Sequence, residues 1–108
     1  MIKSIRHIGI KVKDMDESLR FWKAQGFEVV YDEYEVWKQQ RLHIIKLKCE
    51  HGTTLIELVD GNWRNHIAVT VDKLPFPKLA TKRPSGHKVF FAVSPEGVRI
   101  ELVEEPKP

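Results

Sequence analysis

The 108-residue chain carries a single cysteine, Cys49. Neither an internal disulfide nor a Cys-x-x-Cys redox or metal motif can form. Without staples the chain must hold itself together by burial, and this length suffices for one modest core, a single domain over 1–108. No apolar run approaches the ~18 residues of a membrane span, and no apolar leader segment follows the opening Met1-Ile2-Lys3-Ser4. The expectation is a cytoplasmic protein with no membrane partner. Acidic residues are missing from one whole stretch: between Asp72 and Glu96 stand Lys73, Lys78, Lys82, Arg83 and Lys88, and no carboxylate. The formal net charge is nevertheless only +3, and Phe76 is the one aromatic between Lys73 and Lys88. With so little charge and no stacking platform, no nucleic-acid partner is expected.

What is present is an imperfect repeat. His7-Ile8-Gly9-Ile10-Lys11-Val12 returns as His66-Ile67-Ala68-Val69-Thr70-Val71, and Ile56-Glu57-Leu58-Val59 returns as Ile100-Glu101-Leu102-Val103. A glycine, Gly52 or Gly97, precedes each copy of the second motif. One aliphatic match would be weak, because strands resemble one another. Two matches in the same order, each with the same polar residue in the same place, mark a duplication. In the first copy, alternation predicts a strand from Ile5 to Val12. Asp14 or Asp16 is placed to cap a helix that runs to about Gln25 and stops at Gly26, with Met15, Leu19 and Trp22 inward. Glu28–Tyr34, Leu42–Cys49 and Thr53–Val59 are β-rich. In the second copy Asn65–Val71 reads as a strand, then Pro75, Pro77 and Pro84 break any helix. Lys88–Val93 and Val98–Val103 follow, joined by the turn Ser94-Pro95-Glu96-Gly97. The halves are a first module over about 1–60 and a reduced second module over about 65–105, which lacks the helix and one strand.

Side chains alternate across a strand. If Ile8, Ile10 and Val12 lie under the helix, His7 faces the other way. By the same parity Glu57 opposes Ile56 and Leu58, His66 opposes Ile67, and Glu101 opposes Ile100 and Leu102. Each copy thus offers one imidazole and one carboxylate on the side away from the helix. Two of each make a shell suited to a divalent ion: imidazole favours zinc, nickel, iron or cobalt, and carboxylate adds manganese.

These segments resemble the vicinal oxygen chelate superfamily, which includes glyoxalase I, methylmalonyl-CoA epimerase, extradiol dioxygenases and bleomycin-resistance proteins. The resemblance covers nearly the whole chain. It rests on Ile5-Arg6-His7-Ile8-Gly9-Ile10-Lys11-Val12-Lys13-Asp14, on Phe21-Trp22-Lys23-Ala24-Gln25-Gly26-Phe27, on the His66 strand, and on the ending Ser94-Pro95-Glu96-Gly97-Val98-Arg99-Ile100-Glu101-Leu102-Val103. It implies an α+β fold in which two βαβββ-type modules form a cupped mixed sheet, the second module here lacking its helix. The family's metal positions fall on His7, Glu57, His66 and Glu101, with zinc, nickel, manganese or cobalt as the divalent cofactor. The implied function is a metal-dependent lyase or isomerase of the glyoxalase or epimerase type. It would act on a small 2-oxo or vicinal-oxygen substrate through an enolate-like intermediate. The catalytic base would be Glu57 or Glu101. The alternative is a non-catalytic protein of the bleomycin-resistance type that sequesters a small molecule.

Two further expectations concern partners. If the Lys73–Lys88 stretch lines a rim of the cup, the small-molecule partner is anionic. Without a second helix, Ile67, Val69 and Val71 need other cover, from Leu74, Phe76 and Leu79 or from a partner chain. The family often dimerises, so a homodimer is expected. Trp22 reads as core, Trp37 and Trp63 as exposed or cup-lining, His43, His51 and His87 as surface or strand residues, and Cys49 as a small filler.

Overall fold

The computed structural model describes residues 1–83 and 85–105. The expected helix breaker Pro84 therefore lies outside the described residues. Strand β1 (Ile2–Lys11) leads into helix α1 (Met15–Ala24). Asp14 is the N-cap: its backbone is extended and its carboxylate accepts the Glu17 amide at 3.1 Å. Asp16 and Glu17 complement the positive end of the helix and Lys23 its last turn. Gly26, at φ +97°, turns the chain out of the helix, a conformation that L side chains resist. Strands β2 (Glu28–Trp37), β3 (Gln40–Lys48) and β4 (Leu55–Asp60) complete the first half.

The second half begins with β5 (His66–Val71). Where the first half has its helix, the second has an irregular run ending in one 3-10 turn, Pro77–Leu79. The strand expected to be lost survives as two residues, β6 (Thr81–Lys82), before β7 (Lys88–Val93) and β8 (Arg99–Glu104). All eight strands form one sheet in the order β2-β3-β4-β1-β5-β8-β7-β6. β1 runs parallel to β4, and β5 runs parallel to β8; β1 and β5 meet antiparallel at the centre. The architecture is the expected α+β cupped mixed sheet.

One face carries α1. Met15 and Val12 are buried there with Ile45, Leu47, Ile56 and Leu58, and Leu19, Trp22 and Phe27 pack against them. Each fully buried aliphatic side chain of this kind contributes about 1.5–3 kcal/mol. On the opposite, inner face Leu42, Ile44, Val59, Val89 and Val103 close around Trp37.

The helix covers less than the alternation implied. Ile8, expected beneath it, is 40% exposed, and Ile10 only partly packs. β1 lies at the seam between the halves, and α1 reaches only the β3–β4 side. The replacement cover is also thinner than expected. Leu74 is buried against Val69 and Val71, with its amide bonded to Glu104 Oε2 at 3.1 Å. Phe76 touches Phe90 but stays 56% exposed, and Leu79 faces solvent. No helix among the described residues is long and apolar enough to cross a membrane.

Candidate metal centre

The sheet's register brings the four polar strand residues together in two rows. Glu57, Gly9 and His66 lie side by side across β4, β1 and β5. His7, Ala68 and Glu101 lie side by side across β1, β5 and β8. The rows are the same device run in opposite directions: imidazole, small residue, carboxylate. Gly9 and Ala68 are the equivalent positions of the repeat. A Cβ at Gly9 would overlap the His66 ring, so the glycine is what lets that ring lie over β1. His7, Glu57, His66 and Glu101 are each less than a tenth exposed.

The donor atoms converge. His7 Nε2 and His66 Nε2 are 3.1 Å apart. Glu57 Oε1 stands 3.4 Å from the His7 nitrogen and 3.5 Å from that of His66. Glu101 Oε1 stands 3.6 and 3.4 Å from the same two atoms. An ion held about 2.1 Å from each donor puts neighbouring donors about 3.0 Å apart in an octahedron and about 3.4 Å apart in a tetrahedron. The separations among His7, Glu57 and His66 match what a divalent cation requires, and these three meet the spacing of a metal-binding group; Glu101 Oε1 lies within 3.6 Å of both nitrogens but outside that group.

The tautomer is set as well. The Arg64 carbonyl, 2.9 Å from His66 Nδ1, can only accept, so Nδ1 carries a proton and a neutral His66 aims its Nε2 lone pair inward. Metal-binding imidazoles are commonly held this way. The His66 lone pair and both carboxylates then face the His7 nitrogen, and a cation would satisfy them together. A proton is one such cation. Burial works against charging His66, but Glu101, the Arg64 carbonyl and the charge of Glu57 outweigh it and hold its pKa above the ordinary value. Burial likewise penalises the Glu101 carboxylate, but hydrogen bonds from His66 and His7 and the charge of Arg83 hold its pKa well below the usual range.

The site also contains residues that the repeat did not reveal. Arg83 reaches Glu101 Oε2 at 3.2 Å and Glu35 Oε1 at 3.4 Å, with its guanidinium carbon 4.6 Å from the centre of the Trp37 ring. Tyr31 donates to Glu35 Oε2 at 2.7 Å. Burial and the bond to Glu35 push the Tyr31 pKa up to about 12. Arg83, Glu35 and Tyr31 share a cavity of about 140 Å³ with His7, Glu57 and Glu101. Tyr31, Glu35 and Trp37 share one parity on β2, and that parity was the available signal.

The basic stretch does not line the cup as a whole. Of its five cations only Arg83 does so; Lys73, Lys78, Lys82 and Lys88 face solvent. The other cations of the cavity, Arg6 and Lys46, come from β1 and β3. His87, expected at the surface, lies on the cavity wall beside Ser85. Trp37 is buried and Trp63 packs against it.

Neither a protein-family model nor a curated protein sequence matches the chain. Solved structures do. Methylmalonyl-CoA epimerase from Mycobacterium tuberculosis superposes with a TM-score of 0.72 at 21% identity, over 99% of this chain and 90% of that one. A Streptomyces coelicolor methylmalonyl-CoA epimerase variant in complex with 2-nitronate-propionyl-CoA gives 0.66 at 22%, over 99% and 100%. A methylmalonyl-CoA epimerase in complex with methylmalonyl-CoA and NH4+ gives 0.65 at 23%, over 97% and 96%. These enzymes belong to the vicinal oxygen chelate fold superfamily. At such identities the likeness establishes that this chain has the same fold.

Proposed function

We propose that the chain is a metal-dependent isomerase of the epimerase type, acting on a small substrate with two neighbouring oxygens beside an acidic carbon. The observation that carries this reading is the buried quartet of His7, Glu57, His66 and Glu101, with each carboxylate oxygen within 3.6 Å of both imidazole nitrogens. The fold likeness to methylmalonyl-CoA epimerases favours an isomerase over a lyase. A divalent ion held by the four residues, zinc, nickel, manganese or cobalt, would supply Lewis acidity toward a carbonyl oxygen. The chain's own groups would move the proton. Glu57 and Glu101 serve the cation, and Arg83 ties the second oxygen of Glu101. Glu35 is the remaining carboxylate of the cavity, held by Tyr31 and Arg83. We assign it the proton abstraction: it takes a proton from carbon, the electron pair shifts onto the carbonyl oxygen, water delivers a proton to the opposite face as the pair returns to carbon, and Glu35 gives its own proton back to solvent. No net oxidation is involved.

The test has two parts. Metal analysis of the reconstituted protein should find one divalent ion per chain, and methylmalonyl-CoA in deuterium oxide should lose its C2–H signal by NMR. Glu35→Gln should keep the ion and lose the exchange; His7→Ala should lose both. A loaded protein that binds the thioester without exchange would instead support the sequestering alternative.

The working form is a homodimer. Ile2, Ile5 and Ile8 are 58%, 51% and 40% exposed although β1 lies at the middle of the sheet. An exposed apolar line at that position marks an association surface. Sedimentation equilibrium should give twice the chain mass, and Ile8→Glu should give monomer.

A further inference from the structure

Among the described residues, the guanidinium of Arg83 is the one charged group that bridges the two kinds of carboxylate in the cup. It contacts Glu101 of the quartet and Glu35 outside it, and each contact is a single long one, 3.2 and 3.4 Å. A charge-assisted bond of full strength is about 2.7–2.9 Å, and a guanidinium binds a carboxylate best through two parallel bonds. Arg83 makes no such paired contact with either glutamate. Its fork is split between two acceptors, and most of its five donors stay available.

Its position does not depend on those acceptors. The guanidinium lies over Trp37 at 4.6 Å and within 5.6 Å of the Trp63 ring centre. The backbone is pinned in the β6–β7 hairpin, where the Arg83 amide donates to the His87 carbonyl at 2.8 Å. The platform therefore stays in the cup when an acceptor is exchanged.

Charge and size say what it would receive. The cavity lining holds Arg6, Lys46 and Arg83 against Glu35, Glu57 and Glu101, so with neutral imidazoles the lining cancels. A divalent ion makes the cup positive by two, and an occupant with negative charge restores the balance. A cavity of about 140 Å³ holds a head group of only a few heavy atoms, since a water occupies about 30 Å³ of liquid.

From these observations we infer that Arg83 is the specificity-determining residue of the site and selects substrates that present a carboxylate beside the chelating oxygens. An incoming carboxylate takes the paired contact on the fork that neither glutamate takes. The inference rests on the metal-centred reading of the cup, and its test separates the two.

Malonate and its neutral counterpart malonamide are titrated into the cobalt-loaded protein. The readout is quenching of tryptophan fluorescence from Trp37 and Trp63, and cobalt uptake is followed separately by its visible absorption. The native protein should bind malonate at least tenfold more tightly than malonamide. Arg83→Gln should cut that preference at least tenfold, to what the ion alone provides, while malonamide affinity stays within about twofold. Arg83→Lys, which keeps the charge but not the fork, should recover only part of the preference. If Arg83→Gln fails to fold or to take up cobalt, Arg83→Lys decides, and its preference must fall at least fivefold. Unchanged discrimination in a loaded variant, or none in the native protein, overturns the inference and leaves the metal centre standing. If the native protein takes up no cobalt, the metal reading fails; the same titrations on the metal-free proteins then decide the role of Arg83 alone.

Discussion

Gly9 has no room for a side chain. It sits between Glu57 and His66 in the register, and a methyl group there would occupy the space of the His66 ring. The equivalent residue of the second row, Ala68, is fully buried but already carries its Cβ, so the two rows are alike without being interchangeable. Gly9→Ala should push His66 off the common point. The expected result is a loss of zinc affinity of at least tenfold by competition titration, and a loss of stability of about 1–3 kcal/mol, the usual cost of overpacking. Ala68→Gly should leave zinc affinity within a few-fold. Tyr31 offers a second residue-level test. Its phenol titrates near pH 12 in the fold against about 10 when exposed. A group whose pKa is raised by folding contributes stability that is complete below its unfolded pKa. That contribution is therefore intact below about pH 10 and is lost as pH rises toward 12. The difference between native protein and Tyr31→Phe in urea unfolding should shrink across this window. Tyrosinate absorbance should show an ionisation near pH 12 that disappears in Tyr31→Phe.

Among the elements, the segment that replaces the second helix is the weakest cover in the molecule. Leu74 is 1% exposed and packs on Val69 and Val71, while Phe76 and Leu79 remain more than half exposed. The stabilisation by this segment is thus concentrated in one side chain. Leu74→Ala should cost about 2–5 kcal/mol in urea unfolding, whereas Leu79→Ala should cost less than about 0.5 kcal/mol. The same contrast separates what was legible in the sequence from what was not. Parity along four strands was enough to turn His7, Glu57, His66 and Glu101 to one side, because a strand's period of two leaves only two faces. Parity states which face, not whether anything covers it, so Ile8 was expected beneath a helix that does not reach it. Arg83 was legible only as one cation of the Lys73–Lys88 stretch, because an irregular segment has no periodicity to single it out, and Glu35 and Tyr31 were hidden because the equivalent of β2 in the second half, β6, is two residues long. The β2–β3 hairpin was illegible for another reason. Lys38 and Gln39 take positive φ of 49° and 66°, where such turns ordinarily use Asn-Gly or Asp-Gly, and the strands consequently run on to Trp37 and from Gln40, past the expected ends.

At the scale of the whole molecule, the candidate centre is also a joint. Its four side chains come from β1 and β4 in the first half and from β5 and β8 in the second, and the halves are also joined by the central β1–β5 pairing, the inner core around Trp37 and the Arg83–Glu35 contact. In the unfolded chain these residues are scattered, so an ion that needs all four binds the folded state alone and stabilises it by mass action. At a free ion concentration one hundred times the dissociation constant, that stabilisation is about 2.7 kcal/mol. For a domain of this size each kcal/mol moves the melting temperature by about 4 °C. Zinc should therefore raise the melting temperature by about 10 °C in a calorimetric scan, and a chelator should reverse the rise. Ligands must also be deprotonated to bind. The dense carboxylate surroundings that hold the His66 pKa up make that proton harder to displace, so as pH falls the zinc-dependent rise should begin to shrink already above the usual histidine value. His66→Ala should abolish it, while Lys88→Ala, on an exposed residue of β7, should leave it whole. A zinc-dependent rise that survived His66→Ala would mean that the stabilising ion sits elsewhere on the chain and that the joint between the halves holds without it.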